Sequence, residues 1–99
     1  MTSRLLMEAR HEILVREILS ELVPHNVVWV FGSRAGGTPK AYSDLDLVLI
    51  DSPLISQKTL AELKLRFEES NLPYRVDAML WSSLDDSFQE LIKKHYISL

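Results

Sequence analysis

Three aspartates and one glycine turn carry the chemistry open to this chain. Asp44 and Asp46 sit in the run Ser43-Asp44-Leu45-Asp46-Leu47, and Asp77 interrupts a later apolar run, Val76-Asp77-Ala78-Met79-Leu80. Successive side chains along a strand alternate faces, so Asp44 and Asp46 share one face while Leu45 and Leu47 point to the other. If Asp77 stands on a neighbouring strand, three carboxylates about 5 Å apart repel by about 3 kcal/mol per pair at an effective dielectric of about 20, and by under about 1 in water. Such a cluster persists when it is hydrated, partly protonated or filled by a cation. An all-oxygen donor set with no cysteine and no neighbouring histidine favours Mg2+ or Mn2+ over zinc. In isolation an Asp-x-Asp pair is more often a solvated strand end, so the assignment needs support from elsewhere in the chain.

That support precedes the acids. Gly32 follows the apolar run Val27-Val28-Trp29-Val30-Phe31, and the missing Cβ permits torsions and a close approach that other residues block. Ser33 adds a hydroxyl beside the freed amides, and a helical turn starting at Ser33 would present those amides to a phosphate. Arg34 can add a charge-assisted contact to phosphate oxygens, and Lys40 is the other basic residue placed to do so. Alone, Gly-Ser-Arg is more often an ordinary turn; a nest followed by an acid pair and then a third acid is a different matter. His11, His25 and His95 share no ligand spacing and read as surface or packing residues, as does Tyr42.

Residues of this kind need a sheet to hold them. From about Arg4 to Val23 the pattern is helical, with Leu14, Ile18 and Leu22 recurring on one stripe. Val27 to Phe31 and Leu45 to Ile50 read as strands, the first covered on both faces. Ser56 or Thr59 can cap a second helix ending before Asn71 and Pro73, with Leu60, Leu63 and Phe67 buried. Tyr74 to Trp81 reads as a third strand. Ser83 with Asp86 reads as a capping box for a last helix that buries Phe88, Leu91, Ile92 and His95. The order predicts an α+β, two-layer fold: a small mixed sheet of about three to four strands flanked by helices, its strand directions left open.

The bulk numbers agree. A chain of 99 residues, 46% hydrophobic and 25% charged, is expected to form one domain over 1–99. A net charge of -3 leaves no extended basic surface for nucleic acid. The absence of cysteine excludes disulfides and thiol chemistry. No apolar run approaches the roughly 20 residues of a membrane span, and a cytoplasmic location is expected.

Taken together, Gly32-Ser33-Arg34-Ala35-Gly36-Gly37, then Ser43-Asp44-Leu45-Asp46-Leu47, then Asp77 resemble the DNA polymerase β nucleotidyltransferase superfamily, most closely its minimal nucleotidyltransferases (MNT). The resemblance covers roughly residues 10 to 95. It implies that Gly32 and Ser33, with Arg34 beside them, bind a nucleoside triphosphate, ATP being the expected one. Asp44, Asp46 and Asp77 would be the catalytic and metal-binding residues, holding two Mg2+ ions (or Mn2+), with Asp77 also able to act as base. It implies an acceptor hydroxyl brought by another molecule, typically a tyrosine of a HEPN-domain toxin for which the MNT protein is antitoxin. The rival implication is an antitoxin that works by contact alone, and a stand-alone transferase is the weakest option. Gly36 departs from the family, which often has arginine there, so one basic contact to nucleotide or partner is expected to be missing. The first or last helix could also serve homo-oligomer contact.

Overall fold

The computed structural model describes residues 5–99. Its sheet has 4 strands in the order β3-β2-β1-β4, where β1 is Val28–Phe31, β2 Leu45–Leu49, β3 Val76–Leu80 and β4 Ile97–Ser98. β1 runs antiparallel to β2 and to β4, while β2 and β3 are parallel. A parallel neighbour demands a crossover, supplied by the helix between β2 and β3. Four helices complete the fold: α1 (Ala9–Leu22), the single turn α2 (Ser33–Gly36), α3 (Gln57–Glu68) and α4 (Asp86–Lys94).

The first helix starts five residues later than its periodicity suggests, at Ala9, and Arg4 lies outside the described residues. Its buried stripe is centred on Val15, Ile18 and Leu19, leaving Leu14 and Leu22 half-buried. α3 is capped by Ser56, whose hydroxyl accepts from the Thr59 amide at 3.1 Å. α4 is capped by Asp85, not Ser83: the Asp85 carboxylate accepts from the Phe88 amide at 2.8 Å. A short 3-10 turn, Trp81–Ser83, occupies the place expected of the cap. Leu91 faces solvent at 63% exposure and His95 is exposed, so only Ile92 of the expected stripe is fully buried.

Alternation along the strands splits the sheet into unlike faces. Val28 and Val30, Leu45, Leu47 and Leu49, and Ala78 and Leu80 point to the side covered by α1 and α3, where they meet Val15, Ile18, Leu60, Leu63 and Phe67. On the other side stand Trp29, Phe31, Asp46, Val48, Asp77 and Met79. Trp29 stacks on Tyr96 at 4.0 Å and meets Trp81 edge-on at 5.3 Å, and Phe31 meets Phe88 of α4 at 5.8 Å. β1 is thus covered fully on one side only, Trp29 and Phe31 being half-exposed. Among the described residues no helix is long and apolar enough to cross a membrane.

Candidate nucleotide and metal site

Strand register brings the acids together. Asp46 pairs with Asp77 across the parallel β2-β3 ladder and with Phe31 across the antiparallel one, so Asp77, Asp46 and Phe31 lie side by side on the same face. Asp44, two residues before Asp46 and just ahead of β2, joins that side by alternation. Asp46 is half-buried and its carboxyl titrates above the ordinary aspartate value. Burial is the main cause; the charges of Asp77 and Asp44 add to it, and Arg75 opposes them. That is the repulsion expected of three clustered acids. The side chains are aligned without being closed up: among the described residues no group of three or more acids or histidines is gathered tightly enough to hold a metal as it stands. Asp44 leans instead toward Arg75, its Oδ2 3.9 Å from Nε, a weak pair because both side chains are exposed.

The glycine turn abuts this row. Gly32 has φ 76 and ψ -158, a region that only glycine occupies readily. A Cβ added there would fall on the Asp46 carboxylate. The backbone therefore comes as close to the central acid as it can, and the one-turn helix α2 begins at the next residue. Ser33, its first residue, is half-exposed. The Ala35 amide donates to Gly32 O at 3.1 Å, closing the turn.

Arg34 departs from expectation. Its side chain is 5% exposed, and its donors are taken up by the chain itself. Nε donates to Ser43 O at 3.0 Å, Nη1 to Leu6 O at 2.9 Å, and Nη2 to the carbonyls of Lys40 and Ala41 at 3.3 Å. Its guanidinium lies 3.9 Å from the Tyr74 ring centroid. A fork so engaged is not free for phosphate. It ties the 40–43 loop to α2 and so positions Asp44. The Lys40 amide donates to Ser43 Oγ at 2.8 Å, tightening the same loop, while the Lys40 side chain is exposed.

Two features escaped the sequence reading. Tyr74 is buried, and among the described residues its hydroxyl has no hydrogen-bond partner; an apolar-looking strand start gives no sign of this. At Gly36 the space for a side chain is occupied, because a Cβ would collide with the His95 imidazole, whose Nε2 lies 3.2 Å from Ala35 O. At the position where the resemblance implies arginine, this chain has a glycine with the His95 imidazole at the end of α4 packed onto it. A lone histidine sixty residues on from Ala35 carries no sequence signal of that contact.

With this geometry in place, comparison with known proteins identifies the class. Residues 14–99 match the family described as Polymerase beta, Nucleotidyltransferase, and the chain belongs to that family. More narrowly, it is 42% identical to a Haemophilus influenzae protein bearing the name protein adenylyltransferase MntA, over 98% of this chain and 87% of that protein. A solved structure described as a minimal nucleotidyltransferase superposes with a TM-score of 0.73 at 30% identity, over 91% of this chain and 93% of that one. A mutant MntA-HpeT toxin-antitoxin structure superposes with a TM-score of 0.71 at 20% identity, over 94% of this chain and 72% of that one. At that identity the likeness speaks for the fold. By family, then, the chain is a nucleotidyltransferase of the MntA kind.

Proposed function

We propose that the protein transfers a nucleoside monophosphate, AMP from ATP, to a tyrosine hydroxyl of a HEPN-type toxin and acts as its antitoxin in the cytoplasm. The reading is carried by the register of Asp46 with Asp77 beside Gly32, which offers an acid row and an amide turn in contact. A relative at 42% identity that is named a protein adenylyltransferase supports the activity, and the MntA-HpeT toxin-antitoxin assembly supports the kind of partner.

The donor set suits a hard divalent cation: three carboxylates, the central one destabilised as an anion by burial and by its neighbours. Asp44, Asp46 and Asp77 would hold two Mg2+ ions, which neutralise charge on the entering and leaving oxygens when bound. Gly32 and Ser33 receive the β and γ phosphates on backbone amides and the serine hydroxyl. Phosphoryl chemistry of this kind depends mostly on positioning and charge stabilisation. The acceptor oxygen bonds to the α-phosphorus, the bond from that phosphorus to its bridging oxygen breaks, and pyrophosphate departs with the electron pair. The hydroxyl proton passes to the Asp77 carboxylate.

Incubation with labelled ATP, Mg2+ and a HEPN-type partner tests this. The native chain should label a tyrosine of the partner, and Asp44→Asn or Asp46→Asn should lower labelling by at least about 100-fold, the scale of losing a principal charge-stabilising group. Both variants should keep the native circular dichroism. Equal labelling by the native chain and both variants would refute the assignment; neutralisation of the partner with no label on it would support action by contact alone.

A further inference from the structure

We infer that His95, at the end of α4, is a phosphate-binding residue of the nucleotide site, its imidazole donating to the β and γ phosphates beside Ser33. This rests on the nucleotide-binding function proposed above. Two independent parts of the fold bring the ring there. The first is β4. Its ladder pairs Trp29 with Ser98 and Val30 with Ile97, and the same antiparallel register continued by two residues sets Tyr96 opposite Phe31 and His95 opposite Gly32. The stack of Tyr96 on Trp29 and the extended backbone of His95, φ -158 and ψ 99, agree with that continuation. A residue far along the chain is thereby delivered to the turn that receives the phosphates.

The second is α2. Ser33 and Gly36 are three residues apart on one helical turn, hence on one face, and a side chain at position 36 would project back toward the start of the helix, over Ser33. Gly36 has no side chain, and the His95 ring stands in that place, because an added Cβ would collide with its Nε2. The imidazole therefore approaches the Ser33 level as a side chain of α2 itself would. Its Nε2 lies 3.2 Å from Ala35 O. A carbonyl only accepts, so this nitrogen is assigned the hydrogen. That N–H now meets a neutral acceptor; moved to a phosphate oxygen it forms a charge-assisted bond, roughly twice as strong. The ring is exposed, and no ion pair among the described residues holds it back. Lys93 and Lys94 in the last turn of α4 keep that end of the helix basic. Packing does not account for the placement, since His95 lies outside the buried core.

Calorimetric titration of the full chain with ATP and with AMP, each with Mg2+, tests the assignment. His95→Ala should weaken ATP binding by about tenfold or more, the scale of one hydrogen bond to a charged group. Binding of AMP, which lacks the β and γ phosphates, should stay at the native level. Adding Gly36→Arg to His95→Ala grows a guanidinium out of α2 into the vacated space and should restore ATP binding. His95→Gln keeps an N–H donor, should bind ATP better than His95→Ala does, and carries the comparison if the double variant does not fold. Native ATP binding by His95→Ala would overturn the inference. Equal losses for ATP and AMP would do the same, because they mark a ring that only supports the fold. So would a folded double variant, or a His95→Gln variant, that binds ATP no better than His95→Ala. A native chain that binds neither nucleotide would remove the nucleotide site itself, whereas ATP binding indifferent to residue 95 removes only this assignment.

Discussion

The side of the sheet under α1 and α3 is a continuous layer of valine, leucine and phenylalanine, with Val30, Leu45, Leu47 and Leu63 wholly out of solvent. On the opposite side aspartates stand beside half-exposed aromatics, and α4 covers only part of it. Every residue of the first side lowers the free energy of the fold. Asp46 on the second side raises it, because a partly buried carboxylate is held beside two others. One layer therefore supports the cost of the other, and substitutions of Leu47 on the first side and Asp46 on the second should have opposite signs.

The largest expected effect is on the apolar side. Leu47→Ala, at a site with 0% exposure, should cost about 2–5 kcal/mol in denaturant unfolding; a loss under about 1 would mean that the layer is slack. Next comes the boundary between the sides, where Gly32→Ala forces a side chain into a glycine-only conformation and onto Asp46. It should cost about 1–3 kcal/mol and also displace the central acid, so stability and transfer should fall together. An alanine variant with native activity would separate the turn from the acid row.

The smallest effect should be a gain. The folded-state pKa of Asp46 lies above the ordinary 3.8, so the folded protein binds that proton more tightly than the unfolded chain does. Stability from this group is then full at pH below 3.8 and is lost as pH rises through the folded value. Asp46→Asn carries no such loss. Its melting temperature should exceed the native one at neutral pH, with the gap closing as the solution is acidified; a gap independent of pH would show that charge is not its origin.

Much of this contrast is legible in the residues themselves. Leu45, Leu47 and Leu49 alternate with Asp46 and Val48, and that period places the acids on one side before any pairing is known. Gly32 is found only in combination, because a Gly-Ser-Arg turn alone is ordinary and the acids that follow it are what single it out. Sequence reasoning misses β4, since Ile97–Ser98 is two residues long and owes its form to pairing with Trp29 and Val30 rather than to any pattern of its own. It misreads Arg34 because the carbonyls that receive its guanidinium come from Leu6 and from 40–43, and backbone acceptors leave no mark on a sequence. It gives α4 the wrong cap because Ser83 and Asp85 are both acceptable chemically, and only the 3-10 turn at Trp81 decides between them.

The seat of the His95 ring over Gly36 couples two distant positions. A side chain at position 36 and the imidazole as it stands claim the same space, so a larger residue there requires His95, itself exposed, to swing aside and give up its approach to Ala35 O. The end of α4 and the turn of α2 therefore share one small volume that only one side chain can fill.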